Sequence, residues 1–156
     1  MVRDPVLRLS FPSQPYPAIK GKRIVTADAD GTLIFWDPRS PTPVWKISPE
    51  DERFDLDGIT SLAVNPASTV AVVGGASGGI RVVNLNKGEI VGSLAVHEEG
   101  ESVEAIAFVG SAGAAEVIAT GSTDGRACVW DLNTLKVRNT LKHEVSSGPF
   151  SRSVDI

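Results

Sequence analysis

Two short stretches of the chain concentrate carboxylates. SPEDERFDLDG carries Glu50, Asp51, Glu52, Asp55 and Asp57, and HEEGES carries Glu98, Glu99 and Glu101. Crowded carboxylates hold either a divalent cation or the Lys and Arg side chains of a basic polypeptide. A calcium loop needs oxygen ligands at alternate positions around a turn glycine, and DERFDLDG has neither that spacing nor that placement. Capture of cationic side chains is the chemistry left to these residues. Other reactive types are sparse. Cys128 is the single cysteine, which rules out an internal disulfide framework or a cysteine-built zinc site, and its place in an apolar run predicts a packed, inert thiol. GGASGG at 74–79 has the glycines of a phosphate loop, but no Lys-Ser or Lys-Thr follows it and a strand, not a helix, comes next. His97 and His143 stand about one repeat apart, a spacing that speaks for repeat position over metal ligation. No nucleophile, base and orienting group can be assembled, so no catalytic residue, metal or cofactor is expected.

The elements that must position these residues are repeated. Residues 24–37 read IVTADADGTLIFWD, 71–84 read AVVGGASGGIRVVN and 118–131 read IATGSTDGRACVWD, so successive copies start 47 residues apart. PVWKI at 43, IVGSL at 90 and VRNTL at 137 keep the same spacing. Each copy alternates short Val-, Ile- and Thr-rich runs with Gly, Asp, Asn and Pro, the pattern of β-strands. Asp30-Gly31, Gly78-Gly79 and Asp124-Gly125 provide the positive φ angles of hairpin turns. ITSLAV at 59–64 and VEAIAF at 103–108 add a strand ahead of two of the pairs. The unit is therefore a four-stranded meander, with strands a to d in chain order. One such meander cannot bury both faces, so the repeats must pack on each other as blades do around a propeller axis.

A period in the forties with Trp-Asp closing the third strand resembles the WD-repeat family. That resemblance implies a structural hydrogen-bonded set in each blade: a Trp of strand c, a Ser or Thr of strand b, an Asp of the b-to-c turn and a His ahead of strand a. The third copy offers Trp130, followed by Asp131, with Thr120 or Ser122, Asp124 and His97. The first offers Trp36, followed by Asp37, with Thr26 and Asp30 and no matching His. The second replaces Trp-Asp by Val83-Asn84. The expected fold is all-β, with about three WD40-type blades at 21–58, 59–102 and 103–143, an N-terminal tail at 1–20 and a C-terminal tail at 144–156. Propellers close with four to eight blades, so three predict an incomplete ring, a piece of a larger one, with open blade edges that invite self-association.

Propeller geometry places the d-to-a loops and b-to-c turns on one face. That face collects the eight carboxylates above together with Asp28, Asp30 and Asp124, against Arg53 as its clear base. The candidates for holding a basic segment are Asp51, Glu52, Asp55, Asp57, Glu98, Glu99 and Glu101, with Asp28 a weaker one. Trp45 reads equally as a packing residue or an exposed contact.

A closer likeness rests on GITSLAVNPASTVAVVGGASGGIRVVNLNKGEIVGSL, the inserted AVHEEGE loop, SVEAIAF and ADADGTLIFWDPRSP. Over residues 21–143 these blocks are similar to the angio-associated migratory cell protein family, including its fungal ribosome-assembly members. The likeness implies a cytosolic, non-enzymatic binding propeller. In the fungal members it implies a chaperone that keeps the basic N-terminal segment of a large-subunit ribosomal protein, L-ten (universal name L-sixteen), on an acidic propeller face. The alternatives are a generic WD scaffold in a signalling or trafficking complex, or a truncated chain without independent function.

Composition fits. The chain has 156 residues, 42% of them apolar, enough for one domain with a real core. A net charge of −4 lacks the basic stripe of a nucleic-acid binder, and no run is long and apolar enough for a membrane span. The expected location is the cytosol or the nucleus.

Overall fold

The computed structural model describes residues 8–10, 23–95, 97–112 and 115–143. Strand alternation sets up the architecture. In β2 (Ile24–Ala27) Val25 and Ala27 are buried, and in β3 (Leu33–Trp36) Leu33 and Phe35 are buried, so the pair turns one apolar side inward. The chain reverses between them at Gly31, whose φ of 93° suits glycine, and the equivalent Gly78 and Gly125 have φ of 92° and 77°. β4 (Pro43–Ile47) adds to β3, and β1 (Arg8–Ser10) to the far side of β2, completing sheet 1 in the order β1-β2-β3-β4.

Sheet 2 repeats the meander with β5 (Ile59–Val64), β6 (Val70–Gly75), β7 (Ile80–Asn84) and β8 (Glu89–Leu94). Sheet 3 uses β9 (Val103–Ala112), β10 (Ala115–Ser122), β11 (Arg126–Asp131) and β12 (Lys136–Lys142). All pairings are antiparallel. The repeat survives to single residues: the c–d pairing slips in register at Phe35/Trp36, Val82/Val83 and Val129/Trp130, again 47 apart. These three four-stranded sheets are WD40-type blades, and no helix occurs among the described residues.

One expectation is corrected. Residues 8–10, placed by sequence in a tail, pair with β2 as strand a of sheet 1, Leu9 opposite Thr26. Three residues are too few to show a period, and their pairing is decided by the free edge of β2. The rest of the expected tails, at 1–7, 11–20 and 144–156, lies outside the described residues.

The cores lie between sheets. Val25, Leu33, Phe35 and Ile47 of sheet 1 meet Ala71, Val73 and Val83 of sheet 2, with Phe54 and Leu56 of the connecting loop closing one end. Val72, Ile80, Val82 and Leu94 of sheet 2 meet Ile118, Cys128 and Trp130 of sheet 3, with Val103. Trp45 bridges the first interface. Its ring stacks on Phe35 at 5.2 Å, its Nε1–H donates to the Leu85 carbonyl at 2.9 Å, and it lies against Gly88. Trp45 is a packing residue.

Candidate functional site

Stacking the sheets side by side brings the d-to-a loops and b-to-c turns together. The turn of sheet 2 sits between the two acidic loops: Ala76 N–H donates to Gly58 O, and Gly100 N–H donates to Ser77 O, both at 3.2 Å. Residues 50–58 and 97–102 therefore flank one turn on one face. Within DERFDLDG the buried Phe54 and Leu56 alternate with exposed Asp55 and Asp57, so the apolar pair anchors the loop and turns the carboxylates outward. Asp55 holds φ at 33° while its carbonyl accepts Arg81 Nη2–H at 3.0 Å.

The structure divides the predicted acids into two kinds. Glu52, Asp55, Asp57 and Glu99 are exposed and pair with no base among the described residues. The others are engaged. Arg53 binds Asp51 with Nε–H and Nη2–H at 3.0 and 2.8 Å and holds its carboxyl below the usual range. Glu98 accepts Arg126 Nη2–H at 2.6 Å, and Glu101 accepts the Thr123 hydroxyl at 2.6 Å. Arg126 is thus a second base on this face, which sequence position alone did not reveal. Asp28 builds its turn, its Oδ1 accepting the N–H groups of Asp30 and Thr32 at 3.1 and 2.9 Å. Asp30 lies exposed at the tip of that turn.

Beneath the rim of sheet 3 runs a buried relay. Trp130 Nε1–H donates to Thr120 Oγ1 at 2.9 Å; Thr120 Oγ1 lies 2.8 Å from His97 Nε2; His97 Nδ1 lies 2.9 Å from Asp124 Oδ2. Thr120, not Ser122, is the strand-b member; Ser122 Oγ accepts the Asp124 N–H at 3.2 Å. A neutral imidazole protonated at Nδ1 lets every donor meet an acceptor, with the Thr120 hydroxyl donating to Nε2. Asp124 also accepts the N–H of Glu98 and of Arg126, at 3.1 and 2.8 Å. The relay thereby ties the acidic 97–101 loop to the sheet.

Sheet 1 keeps the inner half of this arrangement, with Trp36 Nε1–H on Thr26 Oγ1 at 2.9 Å. In sheet 2 the equivalent positions are buried Val73 and Val83. The residue after the Trp position has its own task. Asp37 caps its c-to-d turn through Arg39 N–H, Asp131 does so through Asn133 and Thr134 N–H, and Asn84, which looked degenerate in sequence, does the same through Asn86 and Lys87 N–H. Cys128 is fully buried, and burial pushes its thiol up, as an inert packed group requires.

Burial alone would raise the Asp124 carboxyl, but the bonds from Glu98 N–H, His97 and Arg126 N–H together outweigh it and hold the group below its ordinary 3.8. A carboxyl depressed in the folded state adds stability that is complete above its unfolded value and is lost as pH falls through the folded one. Thermal melts from pH 7 downward should therefore show a drop below about pH 4 that is shallower in Asp124→Asn. Parallel curves for the two chains would remove Asp124 from the acid response.

The class this geometry defines is a WD40 repeat domain: three blades, one carrying the complete Trp–Thr–His–Asp relay. Residues 88–131 match the family model described as WD domain, G-beta repeat. Over 130 residues the chain is 40% identical to an uncharacterized WD repeat-containing protein of Schizosaccharomyces pombe, covering 80% of this chain and 31% of that protein. It is 25% identical over 135 residues to human angio-associated migratory cell protein, covering 80% and 30%. To the U3 small nucleolar RNA-associated protein 21 homolog of S. pombe it is 30% identical over 124 residues, covering 80% and 13%. The chain thus spans less than a third of the length of each of these relatives.

Proposed function

We propose that this chain is a non-enzymatic protein-binding platform whose acidic loop face holds a basic polypeptide segment. The observation that carries the reading is the pair of loops on either side of the 75–79 turn, which present Glu52, Asp55, Asp57 and Glu99 as exposed carboxylates that pair with no base among the described residues. Fixed carboxylates on an anchored loop raise the encounter rate with Lys and Arg side chains and repel acidic competitors. The partner class we favour is the basic terminal segment of a large-subunit ribosomal protein, met in the cytosol or nucleus. Likeness to a U3 small nucleolar RNA-associated protein supports a setting in ribosome assembly.

The test is titration with a Lys/Arg-rich peptide from such a protein. Exposed ion pairs contribute about 0.2–1 kcal/mol each. Joint replacement by Glu52→Gln, Asp55→Asn, Asp57→Asn and Glu99→Gln should weaken binding by about tenfold or more, and added salt should weaken the parent complex alone. Binding that is indifferent to both the four substitutions and salt would refute the reading.

A further inference from the structure

Three prolines of the chain follow a hydroxyl residue, in Ser40-Pro41, Thr42-Pro43 and Ser48-Pro49. Such pairs are the acceptors that proline-directed protein kinases take, and the structure sorts them. Ser48 is half-buried just past β4, its carbonyl accepts the Asp51 N–H at 3.0 Å, and Pro49 lies against Gly31. Ser40 and Thr42 stand in the c-to-d turn of sheet 1, where every residue from 38 to 44 is exposed. That exposure belongs to the turn's place in the repeat. At the 47-residue spacing Lys87 and Glu89 hold the equivalent positions of sheet 2, which has a sheet packed on each side, and both are exposed.

Few bonds hold the turn. Ser40 N–H donates to the Asp37 carbonyl at 2.9 Å, Arg39 N–H to Asp37 Oδ1 at 3.0 Å, and Thr42 N–H to Ser40 Oγ at 3.3 Å. No strand pairing runs through residues 38–42; β4 begins at Pro43, opposite Trp36. A kinase groove takes its acceptor as an extended segment, and a proline favours that form in the residue before it. Ser40 has Pro41 after it and Pro38 two residues before it, both exposed, so it can extend without disturbing β4. Thr42 is placed less well, since drawing out its flank would pull Pro43 from Trp36.

We propose that Ser40 is a phosphorylation site for a proline-directed protein kinase. In the transfer Ser40 Oγ forms a bond to the γ-phosphorus of the kinase's nucleoside triphosphate while the bond from that phosphorus to the bridging oxygen breaks. A nucleoside diphosphate leaves, and the hydroxyl proton passes to the kinase's catalytic aspartate. The product carries a charge of about −1.5 to −2 next in sequence to Arg39, whose guanidinium is 66% exposed and sits on Asp37. Ser40 Oγ and Thr42 Oγ1 are 3.1 Å apart, so a second phosphate on the same turn would face the first at close range, and one per chain is expected.

The test is incubation of the 156-residue chain with magnesium ATP and a purified kinase of the mitogen-activated class, followed by intact mass and peptide mapping. One phosphate on Ser40 is the expected product. Ser40→Ala and Pro41→Ala should each slow incorporation by about tenfold or more. Ser48→Ala should leave the rate unchanged, and all three variants should keep the β-sheet circular dichroism. Pro41→Ala keeps the hydroxyl, so its loss of rate separates proline-directed transfer from mere access to an exposed serine. No incorporation into a chain that is folded, phosphate mainly on Thr42 or Ser48, or a rate that Pro41→Ala does not lower, overturns the proposal.

Discussion

Thr120→Val should destabilise the chain by about 2–4 kcal/mol although it scarcely changes volume, because it strands two buried groups at once, each at about 1–3 kcal/mol. Thr120 is the node that accepts Trp130 Nε1–H and reaches His97 Nε2, and all three residues are buried. Thr26→Val removes the same node from sheet 1, where it strands only the Trp36 N–H in a half-buried site, and should cost about 1 kcal/mol. Trp130→Ala adds the loss of a large packed ring and should cost about 3–5 kcal/mol. Urea denaturation at constant slope measures all three. Equal losses for Thr120→Val and Thr26→Val would show that the His97–Asp124 half of the relay adds nothing.

The second large effect concerns how adjacent sheets recognise each other. Trp45 of sheet 1 lies on Gly88 of sheet 2; one interface further on, Gly92 lies against Leu135. Positions 45 and 92 are equivalent, as are 88 and 135, so the same slot is filled as large-on-small and then as small-on-large. Gly88→Leu alone puts a side chain where a Cβ would already be 2.8 Å from Trp45 Cγ, and should cost about 2–4 kcal/mol from overpacking and a left-handed backbone. Trp45→Gly alone empties the slot and should cost about 3–5 kcal/mol. The double variant rebuilds the Gly92–Leu135 pair at the first interface. Gly88 has φ of 67° and Leu135 already tolerates 56°, so the backbone suits the exchange. The combined loss should fall short of the sum by about 2 kcal/mol in a double-mutant cycle. Additivity within about 0.5 kcal/mol would mean that the pair carries no recognition.

What the sequence made legible follows from what repeats. Strands b, c and d, their Gly turns and the Trp36–Thr26 and Trp130–Thr120 pairs recur at 47 residues, and alternation with a fixed spacing is visible without coordinates. Strand a of sheet 1 was invisible because three residues carry no alternation and the neighbouring edge supplies the order. Asn84 looked like decay since its letter departs from Asp, yet its amide oxygen caps the turn just as a carboxylate would. The acidic face was legible as a count of charges but not as a set of partners. Whether Glu98 is free depends on the 97–101 loop folding back over Arg126, which only the relay through His97 and Asp124 imposes. The slot between positions 45 and 88 needs the spatial offset of two sheets, which no single repeat contains.

A partner held by the acidic loops must shield their backbone. Amide hydrogen exchange of this chain, with and without a Lys/Arg-rich peptide, locates the contact directly. Slower exchange is expected at residues 50–58 and 98–102, with little change at the c-to-d turns near 37–42, 84–88 and 131–135 on the opposite face. Protection confined to those opposite turns, or none in the acidic loops while the peptide is bound, would contradict it.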